Sequence, residues 1–424
     1  MSSDPFRPRS YLHLDERLPL KVLKSRVTDP GQVASWQFLP LIRTVVKTKK
    51  VKTKGVSGFE TKTKDREICY AGHQDVALYA FYANALTAKY EVRLKHDGLD
   101  ACITAFRTAI GKCNIHFALE VFQWIDSHRP CVALAYDIKK FFDTLDHSLI
   151  KRRWTDLLRT QTLPPDHFAV FRSLTRHAAI SREVLYGLFD ISKHNPKAAG
   201  RKRICTPEQF RRQVAPGLIE VNSAPFGIPQ GTPISATLSN IYMLEFDKEV
   251  AAQIHAWGGL YRRYCDDILC AVPEKHAQDA KDLVQTAIKS IRLEVQEEKL
   301  EVRHFGPEGT RLSRPLQYLG LTYDGVQILL RSGGIARYFS RLRSGVRVAD
   351  LARTKIARRL GIPKSAVPLK LRKVHRGHLF DKDSRNFVNY AARAAAITGS
   401  KTITHQISRR WKALDDAVRN REKT

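Results

Sequence analysis

Apolar and polar positions along the chain follow two different periods. From Gln74 to Lys95 the pattern is helical, with Val76, Tyr79, Ala80, Ala83 and Leu86 able to share one face. Ile115 to Ile125 predicts a second helix that turns Phe117, Ala118, Val121, Phe122 and Ile125 inward. The apolar run Cys131-Val132-Ala133-Leu134-Ala135 reads as a buried strand that ends near Asp137. Tyr261 to Val272 shows two strand-like arms around the polar pair Asp266-Asp267, which predicts a β-hairpin with two carboxylates at its tip.

Between these segments, Phe226-Gly227-Ile228-Pro229-Gln230-Gly231-Thr232-Pro233 reads as a loop. Thr232-Pro233 is placed as N-cap and first residue of a helix running through Leu238, Ile241, Tyr242 and Phe246 toward His255. Gly258-Gly259 ends it. Ala277 to Ile291 is amphipathic, with Ala280, Leu283, Val284, Ala287, Ile288 and Ile291 at helical spacing. Beyond about Arg331 strand signals fade. Leu342, Val346, Leu351, Ile356 and Leu360 suggest one helical region, Phe387 to Ala396 a second and Ile403 to Val418 a third.

Charge narrows the partners. The 424 residues hold 72 Lys+Arg against 42 Asp+Glu, a formal net charge of +30, which argues for a polyanion and most simply for nucleic acid. Lys47 to Arg66 alternates Lys with Thr or Val around Gly55–Gly58, so Lys49, Lys52 and Lys54 fit a phosphate-tracking hairpin or, equally, a solvated loop. Arg201, Lys202 and Arg203 end a basic stretch from Lys193 that either clasps RNA or is a solvated insertion. No stretch is apolar and long enough to span a membrane, and the N-terminus lacks a signal-peptide pattern, so the expected location is the cytoplasm. The seven cysteines form no Cys-x-x-Cys pair, which fits reduced thiols and no zinc site. His147, His375 and His378 lack partners at metal-ligand spacing.

Adjacent aspartates on a turn are often merely solvated, but hard cations such as Mg²⁺ take oxygen ligands, and the company of this pair is specific. Asp137-Ile138-Lys139-Lys140-Phe141-Phe142-Asp143, Gly227-Ile228-Pro229-Gln230-Gly231-Thr232-Pro233 and Tyr264-Cys265-Asp266-Asp267, in this order, resemble the A, B and C motifs of reverse transcriptases. Their wording is similar to the bacterial, group II intron-like lineage. The resemblance implies an α+β right-hand fold with an antiparallel palm sheet. It divides the chain into an N-terminal extension with a basic arm (1–70), fingers (71–130), a palm (131–330) with a basic insertion at about 186–224, and a basic helical thumb (331–424).

The same resemblance assigns roles. Asp137, Asp266 and Asp267 become the catalytic carboxylates, holding two Mg²⁺ ions (Mn²⁺ as a substitute) with the Ile138 backbone carbonyl. Phe142 becomes the steric gate that excludes a ribose 2′-hydroxyl, and Phe141, its neighbour on a strand, points into the core. Gln230 contacts the nascent base pair, and Lys299 matches the lysine proposed to protonate pyrophosphate. Arg107 and Lys112 are the cations for the incoming dNTP triphosphate. Tyr264, beside the carboxylates, and Gly320, in the primer-grip-like Gln317–Tyr323 stretch, face nucleic acid.

Maturase and endonuclease additions are missing, so the chain looks most like the stand-alone, defence-associated (antiphage) reverse transcriptases that copy a structured non-coding RNA. The expected partners are that RNA, its DNA product and dNTPs, with no membrane. The rival readings are a retron-type, diversity-generating or untemplated DNA polymerase, and a catalytically idle RNA-binding protein.

Overall fold

The computed structural model describes residues 4–54, 58–107, 110–381 and 383–422; the side chains of residues 49–62 lie outside that description. Within it the strands run, in chain order, β1 (Leu41–Lys54), β2 (Gly58–Tyr70), β3 (Cys131–Asp137), β4 (Ala178–Ser181), β5 (Glu220–Val221), β6 (Leu260–Tyr264), β7 (Asp267–Pro273), β8 (Glu301–Phe305), β9 (Leu316–Tyr318), β10 (Leu321–Tyr323) and β11 (Ile328–Leu330). They form three sheets, β2-β1-β4-β5, β6-β7-β3-β8 and β11-β10-β9. All pairings are antiparallel except β1 with β4. With the helices the architecture is α+β, as the motif order implies.

The sheet β6-β7-β3-β8 separates two hydrophobic cores, and strand alternation decides which residue enters which. On β3, Val132, Leu134 and Tyr136 join one core while Cys131 and Ala133 join the other. On β7, Ile268, Cys270 and Val272 face the first core, and Leu269 and Ala271 the second. The first core is completed by the helices His73–His96, Leu244–Ala256 and Ala277–Ser290, the second by Asn114–Ser127 and the C-terminal helices. Each fully buried Val, Leu or Ile contributes roughly 1.5–3 kcal/mol. A sheet loaded on both faces is therefore a stiff platform for the residues at its ends.

The helices predicted from Gln74 to Lys95, Ile115 to Ile125 and Ala277 to Ile291 form as His73–His96, Asn114–Ser127 and Ala277–Ser290. Three local expectations fail. Thr232-Pro233 does not open a helix: the helix begins at Ser235, whose hydroxyl donates to the Pro229 carbonyl at 2.6 Å and sits 2.6 Å from the Thr232 hydroxyl, closing the loop on itself. The single helix expected to reach His255 breaks at Met243 into Ser235–Tyr242 and Leu244–Ala256. The segment Ile403 to Val418 also splits, into Lys401–Ser408 and Arg410–Glu422. The helical region expected around Leu342 to Leu360 forms as the long helix Ser332–Leu360, whose inward face is Tyr338, Leu342, Val346, Asp350 and Ala357, while Leu351 and Leu360 point to solvent.

The basic hairpin is longer than its lysines suggest and is anchored at its base. β1 lies parallel to β4, and Leu12, Leu14, Ile42, Ile180, Ile204 and Cys205 share a third core that ties the N-terminal segment to residues 185–214. No helix among the described residues is long and apolar enough to cross a membrane.

Candidate active site

Two neighbouring strands deliver the carboxylates. Asp137 is the last residue of β3 and pairs in register with Asp267, the first residue of β7. The Ile138 amide donates to the Asp266 carbonyl at 3.3 Å, and the Gln296 amide donates to the Asp137 carbonyl at 2.8 Å. Cys265, at φ 60°, makes the left-handed turn between β6 and β7 that sets Asp266 beside Asp137. Burial pushes the Cys265 thiol up to about 12, so it fills space as a neutral group.

The three carboxylates repel one another. Desolvation first, then Asp266 and Asp137, push Asp267 up to about 7, although the residue as a whole is exposed; Arg331 and Lys299 oppose the rise. Lys299 reaches the same spot, its ammonium 2.9 Å from Asp137 Oδ1. Of the cations read from sequence for the dNTP, Lys299 is the one bonded to a carboxylate of this group.

A buried brace holds this tip. Arg263, on β6, is fully buried; its Nε and Nη2 donate to Asp247 at 2.7 and 2.6 Å, and its Nη1 to Asn240 and to the Cys265 carbonyl. Tyr261 donates to the same Asp247 at 2.7 Å. The Arg263 carbonyl accepts from the Thr104 amide and hydroxyl, which pins the 100–107 loop alongside.

The loop before Ser235 packs against β2 and the Phe142 turn. The Cys69 amide of β2 donates to the Gln230 carbonyl at 2.8 Å, and the Ile228 amide donates to the Phe142 carbonyl at 2.9 Å. A cavity of about 320 Å³ opens there, with Gln230, Arg43, Glu67, Asp143 and Glu220 among its lining. Arg43 is held by Glu220 through two bonds of 2.5 and 2.7 Å, with Glu67 at 3.7 Å. Burial, with Glu67 nearby, raises Asp143. Sequence reading missed Arg43, Glu67, Asp143, Glu220, Arg331 and the Arg263–Asp247 brace. The only advance signal for Arg43 was its place on the strand that carries the lysines.

Phe142 is half-buried, 5.5 Å ring to ring from the buried Phe141. The expected division between the two rings is present, but its reason differs. The strand has already ended, and Phe141–Thr144 is a helical turn entered through Lys140 at φ 47°. Helical stepping, not strand alternation, turns the rings apart.

Other sequence candidates lie elsewhere. Arg107 is buried and spent: it bonds both Glu91 oxygens, Asp100 and the carbonyls of Asp100 and Ile103, leaving nothing for a triphosphate. Lys112 pairs with Glu120 at 2.6 Å. Arg201 donates to the Ile204 carbonyl, Arg203 faces Glu16 at 3.3 Å, and Lys202 is exposed; none is bonded to the carboxylate group. The side chains of Lys49, Lys52 and Lys54, and the hairpin tip at Gly55, Val56 and Ser57, lie outside the described residues. Tyr264 is half-buried, its ring 6.5 Å from that of exposed Phe106. Gly320, at φ 91°, follows Leu319 at φ 47° in the tight turn joining β9 to β10, a pair of positive φ angles that such a hairpin turn requires.

Among the described residues no three His, Cys, Asp or Glu close into a ready-made metal cage. The donor chemistry nonetheless fits a hard divalent cation: three carboxylates gather here, they raise one another's charge cost, and a lysine ammonium already rests on Asp137.

Residues 196–323 match the family model described as "Reverse transcriptase (RNA-dependent DNA polymerase)". The match covers under a third of the chain, including Gln230, Asp266, Asp267 and Lys299 but not Asp137 or Phe142. No curated protein matches. Solved structures similar to the chain include an apo telomerase from Candida tropicalis truncated from its C-terminal domain (11% identity, 69% of this chain and 57% of that one, TM-score 0.43). Another is telomerase from Candida albicans in complex with a TWJ fragment of telomeric RNA (10%, 93% and 59%, TM-score 0.41). The Candida tropicalis telomerase with such a fragment is a third (13%, 95% and 65%, TM-score 0.38). The chain spans less than two thirds of the length of each. Over residues 196–323 the chain is thus similar in sequence to a reverse transcriptase domain.

Proposed function

We propose that the protein copies a structured non-coding RNA into DNA at Asp137, Asp266 and Asp267. The observation that carries this reading is the register of Asp137 against Asp267 on adjacent strands, with Asp266 at the turn and Lys299 bonded to Asp137. Asp137 and Asp266, with Asp267 and the Ile138 carbonyl, are the groups to hold two divalent ions. Such ions, when bound, activate the attacking 3′-hydroxyl and stabilise the leaving pyrophosphate. The protein's own part is positioning. The β6-β7 tip holds the carboxylates, Phe142 lies where a ribose edge passes, Gln230 faces the nascent pair, and Lys299 carries a proton within reach of the site. The formal charge of +30 supports a nucleic-acid partner. Mg²⁺ is the cation proposed. A place in bacterial antiphage defence, in the cytoplasm, is proposed from the wording of the three motifs.

The test is to purify the protein with its RNA, add dNTPs and Mg²⁺, and sequence both RNA and product. A defined RNA with complementary DNA is the expected result. DNA unrelated to the bound RNA makes the enzyme an untemplated polymerase. RNA without any DNA, from the wild type as from Asp266→Asn, overturns the catalytic reading in favour of an RNA-binding protein. Asp266→Asn is expected to abolish synthesis and keep the RNA.

A further inference from the structure

A second site lies in the C-terminal helices, apart from the carboxylates. A cavity of about 590 Å³ opens between the helices Ser332–Leu360 and Arg372–His378 and the start of Phe387–Thr398. Arg337 and Arg341, one helical turn apart, enter from the first; Lys373 and Arg376 from the second; Arg385 from the loop before the third. No acid is among its lining. Asp381, 3.8 Å from Arg376, is the nearby counter-charge, and among the described residues Arg337, Arg341, Lys373 and Arg385 have no acidic partner.

Five cations drawn from three elements around one concavity repel one another, and a concave wall focuses their field. The wall also carries an aromatic pair, Tyr338 and Phe387, with ring centroids 5.1 Å apart. His378 adds Nδ1, a buried nitrogen without a hydrogen-bond partner among the described residues. Tyr338 fixes that end by donating to the His378 carbonyl at 2.6 Å. A duplex backbone spaces its phosphates along a ridge, whereas this geometry gathers charge at one point. Arg331, which lowers Asp267, immediately precedes the first helix. Arg337 and Arg341 then lie roughly 9 and 15 Å further along its axis.

We propose that this pocket binds a cluster of linked phosphates, such as the 5′-triphosphate of an RNA or the triphosphate of a free nucleotide. The RNA source rests on the RNA partner proposed above. Binding, not synthesis, is the readout, so failure of either reading can be told apart.

The experiment compares one RNA carrying a 5′-triphosphate with the same RNA carrying a 5′-hydroxyl, at fixed ionic strength, with inorganic tripolyphosphate and ATP as free competitors. The full chain is used, together with Arg341→Ser/Lys373→Ser and a control, Arg358→Ser/Arg359→Ser, which removes the same charge from exposed positions further along the helix. The wild type is expected to prefer the triphosphate RNA about tenfold, to lose that preference to tripolyphosphate, and to lose it in Arg341→Ser/Lys373→Ser but not in the control. Saturable binding of tripolyphosphate and ATP without any 5′-end preference assigns the pocket to free nucleotides. Equal affinity for both RNAs, with no tripolyphosphate or ATP binding, overturns the proposal and leaves ordinary backbone electrostatics.

Discussion

Lys299 Nζ stands 2.9 Å from Asp137 Oδ1, joining residues 162 apart in sequence at the centre of the candidate active site. The ammonium offsets a cluster of three carboxylates and opposes the rise of Asp267. It also competes for the oxygen that a divalent ion needs. Lys299→Ala is therefore expected to bind Mn²⁺ several-fold more tightly while turning over more slowly, because a like charge has left the cation site and a proton donor has left with it. Metal titration followed by thermal stability at about pH 8.5, above the Asp267 value, checks the first half. Single-nucleotide incorporation checks the second. An unchanged metal midpoint would remove Lys299 from the site.

Phe142 lies half-buried one residue beyond the buried Phe141, on a helical turn that begins four residues after Asp137. If its ring bounds the sugar pocket, Phe142→Ala admits a 2′-hydroxyl. The expected outcome is a fall in dNTP over NTP selectivity of at least tenfold, mostly through a lower KM for NTPs. Phe141→Ala instead loses core packing, about 3–5 kcal/mol, without changing that ratio. Equal selectivity in Phe142→Ala and wild type argues against the gate.

What could be read in advance follows from what each signal depends on. The strand ends, the Asp-Asp hairpin and the faces of the helices His73–His96 and Asn114–Ser127 are local periodicities, and they were legible. So was β7 as a strand, because one packed on both faces carries an unbroken apolar run. The role of Arg107 was not, because nothing local says that Glu91 and Asp100 will surround it. Nor was Arg43, whose partner Glu220 lies 177 residues away. Leu351 and Leu360 marked the helix but not its inward face, because a helix rich in Arg has spare faces, and long apolar residues sit on them at little cost. The buried pair Arg263–Asp247 was illegible for the same reason as Arg107: charge complementarity between separate elements leaves no trace in spacing.

Gly231 sits at φ 118°, where a Cβ would meet the Cys69 carbonyl oxygen at 2.5 Å. That carbonyl belongs to β2, whose Cys69 amide donates to the neighbouring Gln230 carbonyl. Gly231→Ala must therefore push the hairpin off the loop that carries Gln230, at a strain of about 1–3 kcal/mol. The expected signature is a several-fold higher KM for dNTP with RNA affinity kept, since the hairpin's distant surface is untouched. Gln230→Ala, which keeps the main-chain bond, should spare stability. Wild-type KM in Gly231→Ala would show that this seam does not shape the nucleotide pocket.

Arg263 and Asp247 are both fully buried, and each depends on the other. Removing one partner strands a charge without water, so Asp247→Ala is expected to cost about 3–5 kcal/mol, while Asp247→Asn, which keeps one acceptor, costs less. Because Arg263 leads directly into the Asp266 turn, the damage should appear first as lost synthesis at temperatures where the chain is still folded. Denaturant unfolding and activity measured on the same samples check this. Loss of stability without any earlier loss of activity would mean the brace serves the fold alone.

His13 is fully buried against the rings of Tyr11 and Tyr70, with both ring nitrogens lacking a hydrogen-bond partner among the described residues. Asp15 lies 3.6 Å from Nδ1, and His73, itself lowered by burial, sits nearby. Burial pushes His13 down to about 4, with Asp15 opposing. A folded value below the unfolded one of roughly 6.5 means that the unfolded chain takes up the proton first. Stability from this residue is thus whole above pH 6.5 and drains away as pH falls toward 4, by about 2 kcal/mol at pH 5. His13→Phe keeps the ring and removes the titration. It is expected to match or exceed the wild type at low pH and to flatten the acid slope between about pH 6.5 and 4, leaving the smaller contribution of His73. Urea unfolding at a series of pH values reads this directly. Parallel slopes in the two proteins would mean that the N-terminal segment opens before His13 is protonated, so that its burial does not couple to global unfolding.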